Sequence, residues 1–248
     1  MIWLITTVLI GAVILLGLYQ YKKTNKIIIR KQEITFANFP RSFGEVSIFY
    51  ISDIRRCVIS HRILEQVKES VDFVIIGGNL TDKGVPLERV ANNIEVLREI
   101  GPLYFVWGEK DYEGDAHELD ALLLDHKVTI LDNTCAAFES YSGEKLILLG
   151  VDDVVLKRDR LDLALSDSGE DGFRILASHD CSIENKVSKD DRISLILSGV
   201  AKNQSGKVGI YDLGHTKQYI SNGFSPSYSF LRLRPPEVCI VTVKAIDY

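Results

Sequence analysis

Five times in this chain an apolar run of strand length stops and a short polar loop begins. Val46–Ile51 runs into Ser52-Asp53-Ile54-Arg55-Arg56. Asp72–Leu80 carries Gly77-Gly78-Asn79 at its end. Leu103–Trp107 gives way to Gly108-Glu109-Lys110-Asp111. Phe173–Ala177 is followed by Ser178-His179-Asp180, and Ile193–Leu197 by Ser198-Gly199 and the stretch to Gly206. β-Branched, aromatic and apolar residues fill these runs, the pattern of strands buried on both faces. Apolar residues at helical spacing lie between them over His61–Ser70, Pro86–Ile100, Glu118–Asp125 and, briefly, Leu161–Leu165. The alternation predicts an α/β sheet with helices packed on its faces. Lys26–Phe36 reads as extended, and Lys127–Leu131, Lys145–Val151 and Glu237–Ala245 as further strands. Ligands of such sheets gather beyond the carboxyl ends of the strands, so the five loops mark the candidate site. Taken singly, a loop residue such as Asp53 is equally suited to bind a metal or to cap a turn.

Ahead of the first strand, Ile2–Leu18 is apolar and uncharged, and Tyr19 and Tyr21 stand where an interfacial aromatic belt would lie. The run is near the lower length limit of a membrane-spanning helix, about 17 residues. A cleaved signal peptide would need a basic start and a small-x-small cleavage site, and the sequence has neither. Lys22, Lys23, Lys26, Arg30 and Lys31 follow the run, with no positive side chain before it. That asymmetry predicts a single-pass anchor in the cell membrane with the remainder of the chain in the cytoplasm, an exported, anchored domain being the alternative. Cys57, Cys135, Cys181 and Cys239 are widely spaced, with no C-x-x-C pair; they read as packing thiols in a reducing compartment. A net charge of −5 argues against non-specific nucleic-acid binding.

Together and in order, the loops SDIRR, GGNLTD, GEKD, ASHD and SGVAKNQSG resemble those of the calcineurin-like metallophosphoesterases, most closely the membrane-associated bacterial branch. That family carries D-x-H, G-D-x-x-D, G-N-H-D/E, a lone H, and G-H-x-H. The flanks Gly150–Asp153, Leu195–Gly199 and Pro235–Glu237 agree. The resemblance implies a four-layer αββα sandwich with the loops meeting at one edge, preceded by one transmembrane helix. It divides the chain into an anchor over 1–21, a basic juxtamembrane stretch and lead-in strand over 22–44, and a phosphoesterase-like domain over 45–248.

In the family the loops hold two divalent ions about 3.5–4 Å apart, which neutralise the phosphoryl oxygens and supply a hydroxide nucleophile. Carried over position by position, Asp53 matches the first aspartate ligand, and Arg55 stands where a histidine belongs. Asn79 replaces the bridging aspartate, while Asp82 is kept. Glu109 replaces an asparagine ligand, Lys110 the catalytic histidine, and Asp111 is kept. His179 matches the lone histidine, and Val200 and Lys202 replace the last two. Of the ligand set, Asp53, Asn79, Glu109 and His179 could hold at most one ion weakly. Protonated lysine and arginine offer no lone pair and repel a divalent cation. Lysine, with an ordinary pKa of about 10.4, is also poorly matched to the proton-transfer role of histidine.

Two classes of function follow from the resemblance. In the first, the chain is a membrane-anchored pseudo-phosphoesterase, a binding or scaffold module without a cofactor. Arg55, Lys110 and Lys202 then either pair internally with Asp53 and Glu109, drift into solvent, or form a basic pocket for a phosphate-bearing small molecule or protein partner. In the second, it is an active phosphoesterase acting on a phosphate mono- or diester or a pyrophosphate, with one manganese, iron or zinc ion or a remodelled site. His215 falls too late for the fifth loop and reads as a surface or strand-end residue, and Cys181 as packing at a helix start.

Overall fold

The strand Glu45–Ile51 serves two apolar layers at once. Ile48 and Tyr50 pack with Ile75, Leu148, Ile175, Leu197 and Val241 on one face. Phe49 and Ile51 pack with Val74, Ile76, Ile94, Leu97 and Leu123 on the other. Adjacent strand residues point to opposite faces, so a continuous apolar run requires cover on both sides. All four of the strand residues named are 0% exposed, and each such burial stabilises by roughly 1.5–3 kcal/mol.

The computed structural model describes residues 27–67, 71–199, 208–225, 227–229, 232–234 and 236–246, with Gly11 alone ahead of them. In chain order the strands are β1 (Ile28–Phe36), β2 (Glu45–Ile51), β3 (Phe73–Gly77), β4 (Leu103–Val106), β5 (Thr129–Ile130), β6 (Thr134–Glu139), β7 (Lys145–Gly150), β8 (Phe173–Asp180), β9 (Ile193–Gly199), β10 (Gly209–Asp212), β11 (Lys217–Ile220), β12 (Ser227–Ser229), β13 (Arg232–Arg234) and β14 (Glu237–Ala245). The α-helices are α1 (Leu64–Val67), α2 (Leu87–Arg98), α3 (Ala116–Asp125) and α4 (Leu161–Asp167). Of the helix expected over His61–Ser70, a 3-10 turn at His61–Ile63 and α1 are seen; residues 68–70 lie outside the described residues.

One sheet runs β1-β14-β2-β3-β4-β5 and the other β10-β11-β9-β8-β7-β6, with β12-β13 a separate hairpin. The apolar layer shared by β2, β3, β7, β8, β9 and β14 lies between them. α2 and α3 cover the outer face of the first sheet through Val90, Ile94, Leu97, Leu119 and Leu123. α4 covers the second through Leu161 and Ala164, against Ile147, Leu149 and Ile196. This is a two-sheet α/β architecture, as the resemblance implied. Among the described residues no helix is long and apolar enough to cross a membrane. Apart from Gly11, the expected span at 2–18 lies outside the described residues.

β2, β3 and β4 are mutually parallel, as are β7, β8 and β9, so their carboxyl ends open onto common edges. A Cβ on Gly78, after β3, would lie 2.8 Å from the His179 Cβ of β8. The carboxyl ends of both sheets therefore meet at one edge. β14 runs antiparallel to β2 with Cys239 opposite Tyr50, and β1 runs parallel to β14 with Ile28 opposite Glu237. That register puts the start of β1 level with Ser52, at the same edge. All four cysteines are free thiols; Cys181 and Cys239 are buried, and Cys57 and Cys135 half-buried.

Candidate functional site

Three residues past strand ends adopt left-handed backbone: Asp53 (φ 55°), Arg55 (φ 52°) and Asn79 (φ 52°). Asparagine and aspartate tolerate this region; arginine rarely occupies it. Such strain persists where surrounding bonds over-determine it. Here the Asp53 N–H donates to Gly78 O at 3.0 Å and the Arg55 N–H to Asn79 O at 3.1 Å, lacing the β2 loop to the β3 loop. Asp111 clips the β3 loop to the β4 loop. Its fully buried carboxylate accepts the N–H groups of Asn79, Thr81 and Gly108 at 2.8, 2.9 and 3.0 Å. Burial pushes its pKa up to about 7 against the pull of those N–H groups. Gly108 permits the close approach, since a Cβ there would sit 2.5 Å from Asn79 Oδ1.

The side chains converge on the Asn79 carboxamide. Its Oδ1 accepts the Lys110 N–H at 2.8 Å. Its Nδ2 lies 3.0 Å from Asp53 Oδ1, 2.8 Å from His179 Nε2 and 3.4 Å from Glu109 Oε2. The Lys110 N–H fixes this orientation: a flipped amide would set N–H against N–H and oxygen against the Asp53 carboxylate. Arg55 binds Asp53 Oδ1 through Nε at 3.0 Å and Nη2 at 2.5 Å. His179 Nδ1 donates to Gly77 O at 2.8 Å, and Nε2 lies 3.1 Å from Glu109 Oε2. Nε2 thus faces two demands, since a neutral ring would accept from Asn79 and a charged ring donates to Glu109. Burial disfavours the charged ring, but the Glu109 hydrogen bond, with the charges of Asp53 and Glu109, overrides it and holds the pKa at about 10. Burial likewise opposes ionisation of Glu109, and His179 reverses it, bringing the carboxyl to about 2. The arrangement is two ion pairs, Arg55–Asp53 and His179–Glu109, joined by one amide.

The positions singled out in the sequence divide accordingly. Asp53, Arg55, Asn79, Glu109 and His179 come together. Of the options open to Lys110, pairing with Asp53 or Glu109 is not the one seen: it turns its N–H inward and its Nζ outward, to Glu113 Oε1 at 2.5 Å. The cause is local, because a 3-10 turn at Asp111–Glu113 brings a residue three places on beside it. Asp82 faces Arg56 at 3.6 Å. Val200 and Lys202 lie outside the described residues. His215, at the turn between β10 and β11, is exposed and reaches Val187 O at 3.3 Å, away from the site.

One contributor, Gly223, carried no motif, and another, Asp152, lay in the flank Gly150–Asp153. Gly223 (φ 83°) closes over Asp53, and a Cβ there would lie 2.9 Å from Oδ2. The following N–H groups of Phe224 and Ser225 bond Ser52 O and Asp53 O at 2.7 and 2.8 Å. The Asn222-Gly223 dipeptide, a turn signal, was the trace of this in the sequence. On the other side, Asp152 accepts the Tyr112 hydroxyl at 2.8 Å and Arg158 Nε at 2.7 Å. Arg158 also stacks 4.5 Å over the Tyr112 ring.

Two divalent ions do not fit the described residues of the implied ligand set. The position that the resemblance assigns as the bridge must present oxygen lone pairs to both metals, and Asn79 presents its NH2 group. Asp53 is already engaged by a guanidinium, and the His179 lone pair competes with a carboxylate for a proton. Among the described residues, no three His, Cys, Asp or Glu side chains form a metal-holding group. Ser52 Oγ and Asp153 Oδ2 are buried without a partner there, and neither stands at a family ligand position.

Solved structures share this two-sheet fold at low sequence identity. It is similar to the Thermus thermophilus sulfate thiohydrolase SoxB in complex with glycerol, with a TM-score of 0.55 and 12% identity, over 80% of this chain and 56% of that one. It is also similar to a Staphylococcus aureus protein provisionally assigned as a 5'-nucleotidase, in complex with alpha-ketoglutarate, with a TM-score of 0.53 and 11% identity, over 82% of this chain and 55% of that one. The shared region spans little more than half the length of those structures. No family model matches the chain. It is 37% identical over 210 residues to the uncharacterized protein YpbG of Bacillus subtilis (strain 168), over 80% of this chain and 81% of that protein, and it belongs to the YpbG family.

Proposed function

We propose that this chain is a membrane-tethered pseudo-phosphoesterase, a binding or scaffold module built on a phosphoesterase fold whose site is closed by its own ion pairs. The observation that carries this reading is the Asn79 amide, held by the Lys110 N–H so that hydrogen-bond donors point where a dinuclear centre needs acceptors. Internal pairing is supported over an open phosphate pocket. Arg55 is engaged twice by Asp53, and Lys110 is engaged by Glu113. A buried ion pair adds little net stability, because desolvation offsets most of the attraction. Its effect here is to fix the loop arrangement without metal. The tether rests on the apolar run at 2–18 and the basic residues behind it.

Metal analysis of the purified full-length chain, with turnover of an aryl phosphate ester in added manganese, tests the reading. The expected result is sub-stoichiometric metal and no turnover above background. Near-stoichiometric manganese, iron or zinc, lost together with turnover in Glu109→Ala or His179→Ala, would instead establish a one-metal hydrolase.

A further inference from the structure

Strand β1 closes the first sheet on one side and leaves a row of main-chain groups facing outward. We infer that β1 pairs with β1 of a second copy of this chain, antiparallel about Gln32, so that Lys31 of each copy faces the partner's Glu33. The pairing needs neither the tether nor the closed site.

Four edge strands bound the two sheets, β1 and β5 in the first and β10 and β6 in the second. β5 has two residues and β10 four. β6 has six, but Asp167 of α4 takes the Cys135 N–H at 3.1 Å. β1 has nine, contains neither proline nor glycine, and pairs with β14 from Ile28–Glu237 to Phe36–Ala245 without a bulge. Unpaired N–H and C=O groups on an edge are a template for another strand, and sheets blunt them by shortening, kinking or covering the edge. β1 is neither short nor kinked.

The register fixes which groups face outward. The Ile28 N–H donates to Pro236 O at 2.8 Å, and Phe36 O accepts the Ile246 N–H at 3.2 Å. The even-numbered residues therefore bond β14, and Ile29, Lys31, Glu33 and Thr35 turn their main-chain groups away from it. Among the described residues, one of those groups has a partner: Thr35 O accepts Lys217 Nζ at 3.0 Å. β11, which carries Lys217, also sends the Tyr219 hydroxyl to Glu237 at 2.9 Å. It thus lies over β14 and β1, and its neighbour β10 ends the second sheet on the same side of the molecule. Ile28 of β1 and Ile210 of β10 are 37% and 40% exposed there, apolar surface that a second copy would cover.

Charge selects the occupant and the register. Lys31 and Glu33 are both exposed and lie on one face of the sheet, and Glu33 also meets Lys244 at 2.9 Å. A charge on an edge strand ordinarily repels an incoming copy of itself. Centred on Lys31 or on Glu33, an antiparallel pair sets lysine against lysine or glutamate against glutamate. Centred on Gln32, it sets Lys31 against the partner's Glu33 twice, in hydrogen-bonded pairs, with Ile29 against the partner's Thr35 at each end. Opposite charges directly across a ladder stabilise it and like charges weaken it. The edge therefore accepts its own copy in this register and disfavours the neighbouring ones.

Disulfide trapping of the full-length chain in detergent tests the pairing. Gln32 would face its own copy at a non-hydrogen-bonded position, where Cα atoms approach to about 4.5 Å and a disulfide fits. On mild oxidation, Gln32→Cys is expected to run as a covalent dimer on a non-reducing gel. The parent, whose four thiols are buried or half-buried, and Glu139→Cys, at an exposed position on β6, are expected to remain monomeric. Added to Gln32→Cys, Lys31→Glu is expected to slow trapping about tenfold, and Lys31→Glu with Glu33→Lys to restore most of the rate. A Gln32→Cys yield no higher than that of Glu139→Cys would overturn the pairing. Trapping that ignores Lys31→Glu, or that the paired exchange does not restore, would overturn it too, because the contact would then lie elsewhere in the chain or in another register.

Discussion

The layer between the sheets and the edge above it are built from the same strands on opposite terms. Between the sheets, Ile75, Leu148, Ile175 and Leu197 are all 0% exposed and purely apolar, and no backbone strain accompanies them. At the edge, three left-handed residues, two ion pairs and a buried carboxylate crowd around one amide. The contrast separates main chain from side chain. At the edge the main chain is held by hydrogen bonds to Asp111 and by close approach at the glycines at 108 and 223. The side chains there pair with one another across the loops so positioned.

Truncation in the apolar layer gives the largest expected effect. Ile75→Ala should cost about 2–5 kcal/mol through lost transfer energy and a residual cavity, read as a fall in the urea midpoint. A loss near zero would mean that the sheets are not held together there, and the contrast with the edge would fail.

The edge should reveal itself through pH. His179 has its pKa raised to about 10, so its contribution is complete below its ordinary 6.5 and is lost as pH rises through about 10. Glu109 is depressed to about 2, so its contribution is complete above its ordinary 4.5 and is lost as pH falls toward about 2. Subtracting the stability profile of His179→Gln from that of the parent should therefore leave a plateau between about pH 4.5 and 6.5 that falls on the acid side toward about 2 and on the alkaline side toward about 10. Asp111 acts in the opposite sense, losing stability as pH rises from about 4 through about 7. The His179 charge lowers the Asp111 pKa, so the difference profile keeps part of this contribution. A flat difference from pH 3 to 10 would show that the His179–Glu109 pair is not formed.

The smallest effect is expected at Lys110. Its ammonium pairs with Glu113, whose side chain is 42% exposed, and only its main chain serves the amide. Lys110→Ala should change stability by about 0.5 kcal/mol or less and leave the thermal response to inorganic phosphate as it is in the parent. A lost phosphate response would restore the basic pocket that the sequence suggested.

The fold was legible wherever strands are buried on both faces. Val46–Ile51 and Phe173–Ala177 are nearly continuous apolar runs, and Glu237–Ala245 matches β14 residue for residue. Pro86 and Gly101-Pro102 bracketed α2 correctly to within two residues. β6, with the sequence Thr134-Cys-Ala-Ala-Phe-Glu139, was not legible, because a half-covered edge strand has no clean alternation and pairing with β7 alone defines it. β10 and β11 are four-residue strands whose alternation is too short to stand out. At the site, motif spacing brought five positions together, since loop lengths fix where a residue sits. It did not fix where Lys110 points, because that depends on the turn that follows. Gly223 had no charge to announce it and acts by having no side chain.

The left-handed turn at Asn79 has a consequence for engineering this site. Aspartate fits that backbone as readily as asparagine does, and Asp111 and Gly108 hold the turn whichever of the two is present. Exchanging Asn79 for aspartate would therefore set a second carboxylate beside that of Asp53 with no change to the turn that carries it. The backbone at this position is a fixed mount on which a designer can vary the side chain.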